Sequence, residues 1–379
     1  MAGLYIHIPF CKQACSYCDF YFSTRKKLLP SFVDALIAEI RTFSDTPFVE
    51  ETFDTLYFGG GTPSLLTERQ IERILHSVND VFKTDFAEVT IEMNPDNVTP
   101  EYLRSLLKLG INRASMGVQS FNPELLGFMH RAHTREEALN ALEAIEKTGF
   151  PSYTADLIYG NPGQSINTLK EDIHTLLSFQ PPHISAYSLT IEPNTRLGKQ
   201  VELGRITPPE DEFVASHFDV VSEELQKAGI YQYEVSNFAK PGKEALHNSN
   251  YWRHNNYLGL GPSAHSFWWI ENAAERWSNP PDLKQYISEQ GGGVSKKKEL
   301  LDLPSLAEER IFLALRTVAG LNTETLREVY RYSLNDRQKQ WLRTQIEHET
   351  LTWKNANIRF TNKGLKISDL LIVDFLSKQ

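Results

Sequence analysis

The most restrictive feature of this 379-residue chain is the alternation of short apolar strands and amphipathic helices in its first half. Thr67–Gln70 and Thr134–Glu137 have the capping-box pattern of helix starts, and Thr99-Pro100 places a proline just inside a third helix. The predicted strands are Leu4–Ile8, Thr55–Phe58, Glu88–Met93, Arg113–Val118, Ser152–Ile158 and His183–Leu189. Six successive strand–helix units predict an α/β fold with a parallel sheet, and the periodicity leaves open whether the sheet is flat or barrel-like.

The pattern changes after residue 207. We predict, in order, a helix that runs through Leu225, a strand at Tyr231–Val235, a loop at His247–Trp269, a flexible linker at Gln290–Lys298, and a tail, Ser305–Gln379, of three helices, a hairpin at Leu351–Thr361 and a last helix. The order of elements in the tail is that of a winged helix. We therefore expect three regions: residues 1–207, a connecting α/β region at 208–295, and a winged-helix-like domain at 296–379.

Charge and cysteine usage narrow the function classes. The formal net charge is −9, and the tail carries 12 lysines and arginines against 9 aspartates and glutamates, so nucleic-acid binding is not expected. No apolar run approaches the roughly 20 residues that span a bilayer, and the first residues read as a strand and not as a signal peptide. Three clustered cysteines do not fit a secreted disulfide framework, so we predict a cytoplasmic protein.

Cys11, Cys15 and Cys18 lie within eight positions and are the only cysteines of the chain. Three interpretations compete. Buried small hydrophobes are a poor fit for a polar loop at a strand end, and a structural zinc ion needs a fourth ligand, for which only His7 is near. The third is a [4Fe–4S] cluster with one open iron. The C-x3-C-x2-C spacing, with an aromatic residue (Tyr17) before the last cysteine, resembles the radical S-adenosylmethionine (SAM) superfamily, in which SAM binds that iron.

Polar or glycine-rich motifs follow the predicted strands. Gly59-Gly60-Gly61-Thr62-Pro63 suits close approach of backbone to a ligand, although a plain turn is the alternative. Glu92, Gln119, Arg131 and Asp156 follow or lie within apolar runs. Each alone is as compatible with a surface position or a structural hydrogen bond. Together they lie where the carboxyl ends of parallel strands meet, which is where such folds carry their chemistry, and arginine suits a carboxylate while aspartate or glutamine suits ribose hydroxyls.

Taken together, these motifs resemble the anaerobic coproporphyrinogen III oxidase family of radical SAM proteins, over most of the chain. The resemblance rests on Tyr5–Cys11, Gly59–Pro63, Glu92, Gly117–Phe121, Arg131 and Asp156–Gly160. It implies an incomplete (β/α)6 TIM-like barrel with a C-terminal accessory α+β region that ends in the winged-helix-like domain. It also implies that the three cysteines hold the cluster and that SAM is contacted by Tyr5, Tyr17, Gly60, Gly61, Thr62, Glu92, Gln119, Arg131 and Asp156.

Two features separate branches within that family. The oxidases have a further cysteine two residues after the third, where this chain has Phe20. The stretch His247–Trp252 matches the H-N-x-x-Y-W motif of the haem-chaperone branch. That resemblance implies binding of haem, with His247, Tyr251 and Trp252 at the site, and transfer of the haem to an acceptor protein.

A physical argument for haem stands beside the resemblance. Neutral imidazole is a common axial ligand of haem iron, and the aromatic residues around His247 offer flat apolar surface. The plainer alternative is a histidine that hydrogen-bonds within an aromatic core. His254 and His265 are further candidates for the ligand.

The expected function is therefore a haem chaperone that carries a [4Fe–4S] cluster and SAM, and whose partners are haem and haem-accepting proteins, respiratory complexes at the membrane among them. A homodimer is compatible with this interpretation. The alternatives are a coproporphyrinogen III oxidase and another radical SAM enzyme that acts on tetrapyrroles. Because the SAM residues are complete, slow uncoupled cleavage of SAM is also expected.

Overall fold

The fold is described from a computed structural model, in which residues 2–292 and 297–379 are described. The first half contains the six predicted strands, each adjacent to the next in chain order and parallel to it. They are β1 (Ala2–Ile8), β2 (Thr52–Gly60), β3 (Lys83–Met93), β4 (Arg113–Gln119), β5 (Ser152–Tyr159) and β6 (His183–Ser188). The predicted α/β class and parallel sheet are confirmed.

Helices connect these strands across one face of the sheet. They are α1 (Leu29–Arg41), α2 (Glu68–Val81), α3 (Pro100–Lys108), α5 (Arg135–Thr148) and α6 (Ile166–Leu177), whereas the short α4 (Pro123–Phe128) packs into a separate apolar cluster with Ile158 and Leu197. Both capping boxes form: Thr67 and Thr134 accept from the backbone N–H groups of Gln70 and Glu137, whose side chains bond back. Such caps contribute about 1 kcal/mol each, so the local sequence helps to fix where these helices begin.

The sheet does not close on itself among the described residues. Beyond β6 it continues through β8 (Asn237–Ala239) to β7 (Tyr231–Gln232), and beyond β1 through β9 (Asn256–Leu260), β10 (His265–Ile270), β11 (Ala273–Ser278) and β12 (Lys297–Leu301). Because β1 pairs with β9 and not with β6, the arrangement is an open sheet and not a complete barrel. The predicted incomplete barrel agrees with this topology.

Alternation along the strands divides the sheet into two faces. Apolar side chains such as Ile6, Phe58, Ile91 and Met116 are fully buried beneath the helices. Burying each contributes roughly 1.5–3 kcal/mol. The intervening residues are largely polar and point to the concave face, so the sheet carries its chemistry on the side away from the helices.

Three helices lie between the sixth parallel strand and β9: α7 (Arg196–Glu202), α8 (Asp211–Lys227) and α9 (Leu246–Trp252). The predicted loop at His247–Trp269 is therefore wrong, because α9, β9 and most of β10 occupy it. The Glu88 carboxylate of β3 accepts from the backbone N–H groups of Leu246 and His247. This contact satisfies backbone N–H donors that are free in the first turn of α9, and it holds the helix against β3.

The remaining chain begins with α10 (Leu283–Ser288), ahead of β12. The tail contains α11 (Leu303–Leu315), β13 (Leu321–Asn322), α12 (Thr323–Tyr330), α13 (Asp336–Glu347), β14 (Leu351–Lys354), β15 (Asn357–Phe360), α14 (Asn362–Leu365) and α15 (Ser368–Leu376). Residues 293–296 of the predicted linker lie outside the described residues, and Lys297 and Lys298 belong to a strand that pairs with β11. The winged helix and the three-domain division remain predictions.

Across the described part of the chain, no helix combines the length and the apolar character needed to cross a membrane.

Candidate functional site

A cavity of about 520 Å³ lies on the concave face at the carboxyl ends of β2–β6. Its lining brings together residues far apart in sequence, including every predicted cluster or SAM residue except Tyr5: Cys11, Cys15, Tyr17, Cys18, Gly60, Gly61, Thr62, Glu92, Gln119, Arg131 and Asp156. The volume lies within the range of small-molecule sites.

The cysteine loop is fixed at both ends by backbone hydrogen bonds. Cys11 donates to Ser23 O at 3.0 Å, and Ser16 donates to Met129 O at 3.0 Å and accepts from Leu197 N at 2.7 Å. All three thiols are free and half-buried. Burial raises the pKa of Cys11 and of Cys18 to about 11, so the thiolates need a positive partner such as iron to form at neutral pH.

No three His, Cys, Asp or Glu side chains among the described residues converge as a single bound ion would require. A cluster is compatible with this arrangement, because each of three irons takes one thiolate.

The glycine motif is packed against the cysteine loop. Gly61 N donates to Ile8 O at 2.9 Å and Thr62 N to Phe10 O at 2.7 Å. A Cβ on Gly61 would lie 2.7 Å from Phe10 O, and Gly60 has a φ of +104°. For Gly61 the structure supplies one reason for glycine, which is contact between backbone segments, and the close approach to a ligand that the sequence indicates remains a prediction.

Two carboxyl groups lie deep in the cavity. Glu92 accepts from Tyr57 Oη at 2.8 Å and from Gly60 N at 3.0 Å. Burial raises the pKa of Glu92 to about 7 and that of Asp156 to about 6, although the hydrogen bonds that each accepts oppose the shift. Charged carboxylates are therefore costly here unless a cation or a hydrogen-bond donor enters the cavity.

Arg131 connects the cysteine loop to the sheet. Its guanidinium donates to Asn94 Oδ1 and Gly117 O at 2.8 Å each and to Cys15 Sγ at 3.3 Å. Its Nε, and Oε1 of Gln119, are buried without a hydrogen-bond partner among the described residues. Such orphaned atoms in a cavity wall call for a polar ligand. SAM carries both an amino-acid group and ribose hydroxyls, which are complementary to these polar atoms. The residues present in the cavity therefore fit SAM.

Tyr5 differs from the other predicted SAM residues. It lies beneath the cavity wall, where its hydroxyl bonds His7 Nδ1 at 3.1 Å and its ring stacks on Tyr57 at 6.0 Å. The His7 ring lies against Gly60, so Tyr5 supports the glycine motif. A direct contact of Tyr5 with SAM remains a prediction.

Two further residues of the site were missed by sequence reasoning. Tyr57 bonds Glu92, and Asn94 bonds Arg131. Both stand beside motifs that were recognised, since Tyr57 precedes the glycines and Asn94 follows Glu92 by two positions. Strand alternation places Tyr57 on the face of Gly59 and Asn94 on that of Glu92, and this signal was available.

His247 is placed away from this cavity, in the first turn of α9, with 1% of its surface exposed. Its Nδ1 lies 2.9 Å from Thr55 Oγ1 and its Nε2 2.8 Å from Tyr251 Oη. Its ring stacks on Tyr57 at 5.1 Å. Burial, and secondarily the charge of Arg113, lower the pKa of His247 to about 3, so the imidazole is neutral.

Both nitrogens of His247 are thus engaged in this conformation, and iron reaches neither without a movement of a neighbour. Tyr251 also lines a second cavity, of about 370 Å³. Trp252 is half-buried, and its carbonyl accepts from Arg310 at 2.8 Å. Haem binding by these three residues remains a prediction.

Comparison with known proteins places the chain in a family. The Radical SAM superfamily model matches residues 5–176. The heme chaperone HemW of Bacillus subtilis is 33% identical over 386 residues, which cover 100% of each chain. The HemW of Lactococcus lactis is 32% identical, covering 98% of this chain and 96% of the relative. Escherichia coli coproporphyrinogen III oxidase (HemN), a radical SAM enzyme, superposes with a TM-score of 0.83 at 23% identity, covering 99% of this chain and 89% of its own. The HemN likeness shows the fold alone, and the full-length HemW similarity shows the branch: the chain belongs to the HemW family of radical SAM proteins.

Proposed function

We propose that this protein is a haem chaperone, which binds haem and transfers it to an acceptor protein. The observation that carries the proposal is the full-length similarity, at 32–33% identity, to two proteins named heme chaperones. The position of Phe20 agrees with it. This side chain is 66% exposed at the cavity rim, where the resembling oxidases have a fourth cysteine.

The first cavity would hold the two resident cofactors. Cys11, Cys15 and Cys18 are the proposed ligands of a [4Fe–4S] cluster, which supplies single electrons and an open iron to SAM. For SAM itself, Arg131 and Gln119 offer unsatisfied polar atoms, while Glu92 and Asp156 offer carboxylates to donors. The protein's contribution is to bind and orient SAM and to keep water from it. Whether SAM is cleaved is a separate question, and slow uncoupled cleavage remains the expectation.

The proposed haem site is at α9. His247 is neutral and is held from one side by Thr55, which are two properties of an axial ligand. The acceptors in this proposal are haem proteins, respiratory complexes at the membrane among them, and the chaperone itself works in the reducing cytoplasm, where its three thiols stay free for the cluster.

The test uses anoxic, cluster-reconstituted protein in two parallel assays. The first is a haem titration followed by absorption, for which we expect one haem per chain. The second supplies coproporphyrinogen III, SAM and a reductant, for which we expect no loss of carboxyl groups. Decarboxylation without haem binding would identify an oxidase and contradict the proposal.

A further inference from the structure

A second cavity, of about 370 Å³, lies beside the helix that carries His247. Aromatic rings and aliphatic groups form most of its wall, contributed by α9, β9, β10 and α11. The lining residues are Tyr251, His254, Asn255, Tyr257, Phe267, Arg276, Glu309, Phe312 and Leu313. The volume lies in the range of small-molecule sites. Phe312 is 39% exposed, so the wall includes an apolar ring that reaches solvent.

Tyr251 stands between this cavity and His247. On one side it lines the cavity, with its ring edge-on to Tyr257 at 4.7 Å. On the other side its hydroxyl lies 2.8 Å from Nε2 of His247. A rotation of this single side chain would therefore open a path from the cavity to that nitrogen.

The remaining contacts of His247 already suit ligation. With the proton on Nδ1, the ring donates to Thr55 Oγ1 at 2.9 Å and Nε2 accepts from Tyr251. Stacking on Tyr57 at 5.1 Å fixes the ring plane. Nε2 thus carries its lone pair on the side of Tyr251, and a carbonyl, carboxylate or hydroxyl partner at the other nitrogen is the usual support of a metal-binding histidine.

We propose that the second cavity receives the haem macrocycle and that the Tyr251 hydroxyl is a latch, which covers Nε2 of His247 until haem is present. This inference rests on the proposed function and adds the place of entry and its control. A flat aromatic macrocycle packs well against aromatic rings, and the half-buried Tyr257 offers one in this wall, whereas Phe267 is 1% exposed and already stacks on His254 at 4.5 Å. Arg276, whose guanidinium lies 5.8 Å from the centre of the Phe267 ring, provides positive charge for the carboxylates of haem, although it also pairs with Glu309.

The latch accounts for both capture and release. A buried histidine that permanently faced the cavity would hold iron tightly, whereas a carrier has to let it go. Tyr251 competes with iron for one nitrogen, so haem that leaves is replaced at once by a hydrogen bond. The free energy of haem binding is thereby reduced by the free energy of the hydrogen bond between Tyr251 and His247.

His254 is the competing ligand in the same cavity. It is clamped between Phe267 and Tyr330, its Nδ1 lies 3.1 Å from Tyr330 Oη, and its Nε2 lies 3.3 Å from the Glu309 carboxylate that Arg276 also binds. We favour His247, because opening it requires one neutral side chain to rotate. Nε2 of His254 makes no hydrogen bond among the described residues, but the Glu309 carboxylate 3.3 Å away occupies the space beside it and would have to move.

The test is a titration of reconstituted protein with ferric haem and, separately, with iron-free protoporphyrin IX. Tyr251→Phe keeps the ring and removes the latch, so haem affinity should rise roughly 2- to 10-fold, as expected from loss of one competing hydrogen bond. In the double variant Tyr251→Phe/His247→Ala, the gain in haem affinity should be abolished, while binding of protoporphyrin IX should be unchanged. Leu313→Trp fills the cavity and should weaken both ligands. Tyr153→Phe, which removes a buried hydroxyl bonded to Phe179 O far from this cavity, is the control for a general loss of packing.

The outcomes separate the two proposals. Unchanged or weaker haem binding by Tyr251→Phe overturns the latch, as does loss of the haem spectrum in His254→Ala but not in His247→Ala. Normal binding of both ligands by Leu313→Trp overturns the cavity as the haem site. If the wild type binds no haem while the cluster is intact, the proposed function fails.

Discussion

Replacement of Glu92 by glutamine should stabilise the ligand-free protein at alkaline pH and weaken SAM binding. The carboxyl has an ordinary pKa of 4.5, which burial raises to about 7 in the folded chain. At 1.36 kcal/mol per pKa unit, the ionised group therefore costs about 3 kcal/mol of stability. Because the folded pKa is the higher one, the stabilising contribution of the protonated acid is complete below about pH 4.5 and is lost as the pH rises through about 7.

Glutamine keeps most of the contacts but not the charge. Its oxygen can accept from Gly60 N, and its amide group can donate to Tyr57 Oη. We allow about 1–2 kcal/mol for the weaker, neutral hydrogen bonds. Glu92→Gln should then be more stable than the wild type by about 1–2 kcal/mol at pH 8.5, with the difference falling to about zero or below at pH 5.

The assay is urea unfolding of both proteins at these two pH values, without cofactors, followed by tryptophan fluorescence and circular dichroism. SAM titration of the reconstituted proteins should show weaker binding by the variant, about 10-fold if one charged hydrogen bond is lost. The reasoning is refuted if the variant is less stable by the same amount at both pH values, since a buried, ionisable Glu92 predicts a pH-dependent difference.

Three further predictions concern the same cavity. Gly61→Ala places a methyl group 2.7 Å from Phe10 O and should lower the free energy of unfolding by about 1–3 kcal/mol. Gly127→Ala is the control: it lies in a helix with nothing within 4 Å of the new methyl group, so it should be neutral or stabilising. Thermal unfolding of both variants checks this difference. Arg131→Lys retains the charge but cannot keep the hydrogen bonds to Asn94, Gly117 and Cys15 together. Iron and sulfide content after reconstitution should therefore fall, and SAM affinity should drop at least about 10-fold. Full cofactor content in the variant would contradict the role given to the guanidinium. Tyr57→Phe removes the hydrogen bond to Glu92 but keeps the ring that stacks on His247. Titrations should therefore show SAM binding that is weaker by about 10-fold and an unchanged haem affinity. Equal losses of SAM affinity and haem affinity would mean that the hydroxyl also supports the haem site.

Local signals were sufficient to predict the parallel sheet, and the family resemblance was needed to assign the residues of the first cavity to one site. Apolar strand patterns and the caps at Thr67 and Thr134 act over a few residues, and the structure follows them. The carboxyl ends of parallel strands meet at one edge, so topology indicates that Glu92, Gln119 and Asp156 lie near one another, whereas their assignment to a SAM site came from the family resemblance.

Contacts between distant parts of the chain explain the errors. α9 was predicted as part of a loop, because its first turn is satisfied by Glu88, 158 residues before Leu246, and no pattern near His247 reports such a partner. The pairing of β9 with β1 also joins distant parts of the chain. The burial of His247 follows from the same packing, so sequence reasoning found the residue but not the tyrosine that covers it.

We propose above that the protein carries haem and gives it to an acceptor protein. The most direct test mixes haem-loaded, cluster-reconstituted protein with membranes from cells starved of haem, and follows absorption of both fractions after separation. We expect haem to move into membrane haem proteins at a rate that increases with membrane concentration, and to stay on this protein with protein-free lipid vesicles. Retention of haem in both mixtures, or equal loss to vesicles and membranes, would contradict transfer to an acceptor protein.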